Sequence, residues 1–181
     1  MSFLLQQILR EPGLALQLNN ELLNQLLSQA RNARLLATLA HQLQSRAVDT
    51  QLPAAVRRHL QSALLIHEKQ KRDLAFDGEK IKQVLDSVGE SLVLLKGAAY
   101  MLAELPVGHG RLITDIDILV PQRRIRTVEK AFIESGWNSS YANTYNERYY
   151  RNWSHEIPPL TNRTRGTTLD VHHNVLPPTA K

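Results

Sequence analysis

Gly89 separates two apolar periodicities, and no single layer of secondary structure can satisfy both. Before it, Leu14, Leu18, Leu22, Leu23, Leu26 and Leu27 recur at helical spacing, and Leu35, Leu36, Leu39, Ala40 and Leu43 repeat the pattern. Such spacing lays an apolar stripe along each helix and drives helices to pack on one another. Pro12 and Gly13 punctuate the start of this region. Val48 to Pro53 reads as a turn, with Thr50 as an N-cap and Pro53 suited to a first helical turn. A long helix is expected from Ala54 to Val88, with Leu60, Leu64, Ile66, Leu74, Ile81, Val84 and Leu85 inward. Gly89 would stop it, and Gly78 could bend or split it.

After Gly89 the apolar residues gather in short runs. Ser91 to Leu95, ended by Lys96-Gly97, predicts a buried strand entering a tight turn, followed by a helix from Ala98 to Leu105. Pro106, Gly108 and Gly110 predict a flexible loop carrying His109 and Arg111. A strand is expected over Thr114 to Val120, then a basic amphipathic helix stopped by Gly136. On that helix Arg123, Arg124, Arg126 and Lys130 form a solvated face opposite Ile125, Val128, Ala131, Phe132 and Ile133. Further strands are expected around Trp137 to Tyr141, Tyr149 to Ile157 and Thr167 to His173. The whole predicts an α+β chain: an α-helical subdomain over 1–89, then a mixed β-sheet with flanking helices over 90–181. Pro177 to Lys181 follow directly on the last strand, so a further C-terminal part is expected.

With 181 residues, 43% of them apolar, the chain can build one ordinary core or two small ones. No apolar stretch approaches the roughly 18 residues that span a bilayer, and the first residues lack a basic signal region. The expectation is a cytoplasmic protein without a membrane partner. The absence of cysteine excludes a disulfide-linked partner, thiolate metal sites and thiol nucleophiles. The net charge of +5 suits a phosphate-bearing substrate or a polyanion. Residues 1–90 carry 11 basic and 9 acidic side chains and residues 91–181 carry 11 and 8, so neither half is a basic tail.

Asp115 and Asp117 open the apolar run Ile116, Ile118, Leu119, Val120. On a strand, side chains two apart leave the same face, so both carboxylates can reach one cation while Ile116 and Ile118 point inward. Like charges on a half-buried strand repel and resist desolvation unless cations or donors compensate. With Lys96-Gly97 upstream and Asp170 downstream, the pattern reads as a divalent-metal site for a nucleotide. His172 would share a face with Asp170, and His173 would face the other way. With His155, His172 could bind phosphate, orient a carboxylate, or be a structural histidine; a zinc site of His155, His172 and His109 is a further alternative. Tyr141, Tyr145, Tyr149, Tyr150 and Trp153, interleaved with Arg148 and Arg151, could stack a base or RNA, or pack a sheet.

Leu95-Lys96-Gly97-Ala98-Ala99, Arg111, Asp115 to Val120, Ser154-His155-Glu156 and Leu169 to His173 together resemble the polymerase-beta-like nucleotidyltransferase superfamily. The nearest branch is its bacterial "nucleotidyltransferase family proteins", over about residues 90 to 175 with similar leucine-rich helices before them. The resemblance implies Asp115, Asp117 and Asp170 as catalytic metal ligands for Mg²⁺ or Mn²⁺. Lys96, Gly97, Ala98, Arg111, His155 and His172 would then contact the nucleotide. A nucleoside triphosphate would donate its monophosphate to a hydroxyl acceptor on a protein, RNA or small molecule. Such enzymes generally carry Gly-Ser or Gly-Gly at the turn, whereas Ala98 follows Gly97 here, and the gap to Asp115 is longer. These departures keep open a degenerate binding or regulatory module. A DxD glycosyltransferase is a second alternative, though leucine-rich helices replace the nucleotide-sugar domain it needs. A haloacid-type phosphatase fits less well, because its aspartates end an apolar strand.

Overall fold

The leucine spacing of the first half produces helices. A computed structural model of the protein describes residues 3–139 and 155–176. Its first helices are α1 (Phe3–Arg10), α2 (Asn20–Asn32), α3 (Leu36–Ser45) and α4 (Ala54–Ser87). A four-stranded sheet follows, so the fold is α+β with the helices first. The chain groups into two compact units, residues 1–72 with 104–112, and residues 73–103 with 113–181. This partition falls within α4 and therefore does not coincide with the change of period at residues 89 and 90.

In the first unit, Ile8, Leu26, Leu39, Leu43 and Leu60 meet in one core. Asn19 caps α2 by accepting the Leu22 N–H at 2.9 Å, satisfying one of the helix's free donors. Two local expectations are corrected. Thr50 does not cap α4; its hydroxyl donates to the Ala47 carbonyl at 3.2 Å, inside a 3-10 turn that precedes the helix. Ile66 is 55% exposed, because the inward stripe of α4 passes through Leu60 and Ala63 instead.

The stretch Pro106 to Arg111 is fastened rather than loose. Gly110 N–H donates to His67 Nε2 at 3.4 Å, so Nδ1 carries the ring proton and donates to the Arg111 carbonyl at 3.0 Å. Thr38 Oγ1 donates to the Gly110 carbonyl at 3.2 Å. Gly110 has a φ of +69°, and a Cβ there would lie 2.4 Å from the Thr38 nitrogen. Close backbone approach, together with the left-handed conformation, explains the glycine.

The second unit holds β1 (Ile116–Leu119), β2 (Trp137–Ser139), β3 (Leu160–Asn162) and β4 (Thr168–His172), with α5 (Lys96–Leu102) and α6 (Ile125–Glu134). The spatial order is β1-β4-β3-β2; β1 runs parallel to β4, and the other pairs are antiparallel. From the C-terminal half of α4, Leu74, Ile81 and Leu85 join Ile116, Ile118, Phe132, Trp137, Leu160, Leu169 and Val171 in the core. Phe132 meets Trp137 edge-on, with ring centroids 5.5 Å apart. Beside this core, buried Asp77 accepts from Arg165 Nε at 2.5 Å and from Thr167 Oγ1 at 2.7 Å.

Several boundaries differ from those expected. Among the described residues, 91–95 form one bridge and no strand: Leu94 to Ile118, flanked by Leu95 N–H to the Asp117 carbonyl and Leu119 N–H to the Val93 carbonyl. They flank β1 at the end of the sheet, which leaves Val93 45% exposed instead of buried. The helix after them starts at Lys96 and ends at Leu102, and α4 is continuous through Gly78. The short β3 was not anticipated, since three residues after a Pro-Pro pair carry little strand signal. Arg124 does not lie on a solvated face: it donates to Glu90 at 2.6 Å and to the Val88 carbonyl. The anticipated strands at 137–141 and 149–157, and the aromatic cluster, extend into residues 140–154, outside the described residues.

Candidate functional site

The sheet itself brings the acids together. Parallel pairing sets Ile116 against Leu169, Asp117 against Asp170, Ile118 against Val171 and Leu119 against His172. Because side chains alternate, the aliphatic pairs enter the core and the two aspartates share the opposite face. Asp115 lies just before β1, half-buried, with its Oδ1 accepting from the Thr114 hydroxyl at 3.2 Å. His172 follows Asp170 on the same face and is 1% exposed, as the alternation predicts.

Asp117 is 4% exposed and doubly engaged. Lys96 Nζ donates to its Oδ1 at 2.6 Å, and His172 Nε2 lies 2.9 Å from the same oxygen. Burial pushes the carboxyl up, but the hydrogen bonds and charges of His172 and Lys96 outweigh it and hold Asp117 below the ordinary carboxylate range. Burial likewise pulls the Lys96 ammonium down, yet its bond to Asp117, with Glu156 and Asp170 nearby, carries it above the ordinary lysine value.

Lys96 also takes a strained backbone conformation. Its φ is +48°, the left-handed region that a long side chain rarely enters, while Gly97 sits inside the first turn of α5. Ala98 is fully buried in the core, so its methyl group does not face a ligand. No side chain caps α5, which leaves the N–H groups of its first turn without that form of partner.

Asp170 is the uncompensated member. Its Oδ1 is buried without a hydrogen-bond partner among the described residues. Desolvation first, then the charges of Glu156, Asp115 and Asp117, push its carboxyl up to about 6, against a smaller lowering by His172. An orphaned oxygen facing three like charges matches the donor set that hard divalent cations take, so these acids fit a Mg²⁺ or Mn²⁺ ion.

A residue absent from the expected site completes the cluster. Glu156 pairs across an antiparallel bridge with His172, and its Oε2 lies 3.3 Å from His172 Nδ1. His155 lies beside them, its ring centroid 5.1 Å from that of His172. The sequence signal for Glu156 was the Ser154-His155-Glu156 triplet, which carried the resemblance without being assigned a ligand. His109 does not belong to this group; it belongs to the first unit, 4.5 Å from the His41 ring. Arg111 also falls in the first unit, and its carbonyl accepts from His67.

Against known proteins, a family model described as uncharacterised nucleotidyltransferase matches residues 20–181. No curated protein and no solved structure matches the chain.

Proposed function

The chain belongs to the uncharacterised nucleotidyltransferase family, and from that premise we propose that it moves a nucleoside monophosphate from a nucleoside triphosphate to a hydroxyl acceptor. The observation that carries this reading is the register of Asp117 against Asp170, which concentrates negative charge that a cation would offset. A divalent ion held by Asp115, Asp117 and Asp170 would neutralise the triphosphate and acidify the acceptor hydroxyl. Family membership supports nucleotide transfer over the sugar transfer and phosphatase alternatives.

The chain's own groups divide the remaining work. Lys96 holds its ammonium at the mouth of the acid pair, with 58% of the side chain exposed, where it can turn from Asp117 to phosphate oxygens. Gly97 and Ala98 are both buried, so Lys96 is the phosphate donor that this turn offers. Asp170 Oδ1, without a hydrogen-bond partner among the described residues, is placed to take the acceptor's proton. The acceptor oxygen then bonds to the α-phosphorus as the bond to pyrophosphate breaks, and pyrophosphate leaves with that electron pair. His172 keeps Asp117 oriented throughout by its contact at 2.9 Å.

The test is calorimetric titration of a nucleoside triphosphate with and without Mg²⁺. Binding is expected to require Mg²⁺ and to disappear in Asp115→Ala and Asp117→Ala proteins with wild-type circular dichroism. Unchanged binding in both variants would remove the metal role. Incubation with labelled triphosphates and cell lysate would then identify the acceptor.

A further inference from the structure

The donor atoms of His155, Glu156 and His172 all lie within 4.8 Å of one another, a convergence of which the nucleotidyl-transfer reading uses only the contact of His172 with Asp117. We propose that these three side chains form a separate metal site that takes a borderline transition ion of the Zn²⁺ class rather than Mg²⁺. Two imidazoles and one carboxylate are the donors such ions favour, while Mg²⁺ selects oxygen. This differs from a three-imidazole arrangement: the third ligand is the acid Glu156, not His109.

The spacing fits. In a tetrahedral complex with metal–ligand bonds of about 2.0–2.1 Å, neighbouring donors stand about 3.3 Å apart. His172 Nδ1 and Glu156 Oε2 are already 3.3 Å apart. The backbone fixes this relation through the Glu156–His172 bridge, the Ile157 N–H bond to the Val171 carbonyl at 3.1 Å, and the His173 N–H bond to the His155 carbonyl at 2.8 Å.

A second observation is independent of the ligand distances. A metal-bound histidine characteristically donates its other ring nitrogen to a carboxylate, which fixes the tautomer and the ring's direction. His172 Nε2 lies 2.9 Å from Asp117 Oδ1, so a proton there leaves the Nδ1 lone pair aimed at Glu156. The ring of His172, at 1% exposure, has no freedom to turn away. Three protein ligands leave a coordination position for water or a substrate oxygen. Occupancy of this site would hold the His172 proton on Nε2 and with it the orientation of Asp117. The inference rests on the donor set and its geometry and does not require that the protein transfer nucleotides.

The experiment is titration of the chelator-stripped full chain with Co²⁺, followed by visible absorption, and Zn²⁺ competition against a chromophoric chelator in excess Mg²⁺. One equivalent of Co²⁺ with the d–d bands of a low-coordinate site is expected, displaced by Zn²⁺ and not by Mg²⁺. Loss of an outer carboxylate partner alone typically weakens such sites about 10–100-fold, so His155→Ala and Glu156→Gln should each lose at least about 10-fold in Zn²⁺ affinity. Asp115→Ala should bind as wild type. His155→Cys, in a chain without cysteine, should retain Co²⁺ and add a thiolate charge-transfer band in the near ultraviolet. The proposal is overturned by absence of the Co²⁺ bands, by variants that bind as wild type, by an Asp115→Ala loss equal to that of His155→Ala, or by His155→Cys without the new band.

Discussion

Replacing Asp170 by asparagine should stabilise the protein at neutral pH when divalent cations are absent. Folding raises this carboxyl from its ordinary value of 3.8 to about 6, chiefly by desolvation. A shift of about two units corresponds to roughly 3 kcal/mol as a ceiling, at about 1.36 kcal/mol per unit. The group is not fully enclosed, so solvent screening reduces the expected gain to about 1–2 kcal/mol. Because the folded value lies above the unfolded one, the native state binds the proton more tightly. The destabilisation therefore grows as pH rises from about 4 to about 6 and is complete above that window. Asp170→Asn should exceed wild type most above pH 7 and match it below about pH 4, with a melting-temperature difference of about 2–8 °C for a chain this long. Urea unfolding at pH 4 to 8, followed by tryptophan fluorescence, reads this directly, since Trp137 is buried in the same core as Leu169 and Val171. Mg²⁺ should then stabilise wild type and leave the variant unmoved. An asparagine variant less stable than wild type at pH 7.5, or a difference independent of pH, would refute the account of Asp170 as an uncompensated charge.

Two further substitutions test the scaffold of each unit. Asp77→Ala removes the acceptor of the Thr167 hydroxyl and of Arg165 Nε, while Arg165 stays 38% exposed and keeps Asp73 at 3.6 Å, so it should cost about 1–2 kcal/mol, measured as a lower urea midpoint by tryptophan fluorescence. Gly110→Ala combines a left-handed residue with a Cβ 2.4 Å from the Thr38 nitrogen, so a loss of about 3 kcal/mol or more is expected. Its check is thermal unfolding by circular dichroism, and a melting temperature equal to wild type would show that the 37–38 backbone yields without strain.

The parts of the fold legible in the sequence are those governed by local period. Leucine spacing marks the early helices, and alternation places Asp117 outward between Ile116 and Ile118, and His172 on the face of Asp170. What the sequence leaves hidden depends on residues distant in the chain. Nothing local to Asp117 says that Asp170 will be its register partner, or that Lys96 will accept a left-handed backbone while its ammonium reaches that carboxylate. Glu156 stayed unassigned for the same reason: its role arises from an antiparallel bridge to His172, which the Ser154-His155-Glu156 triplet does not reveal. Arg124 reads as a surface cation by helical position, yet Glu90, 34 positions earlier, captures it.

The interleaving of the two compact units, 1–72 with 104–112 and 73–103 with 113–181, bears on how such a gene can change. Neither unit corresponds to an unbroken stretch of codons. A recombination breakpoint between residues 72 and 113 would hand each daughter protein an incomplete partner set. A cut in that stretch would thus part the leucine-rich helices from residues of the 104–112 segment that belong to the same unit.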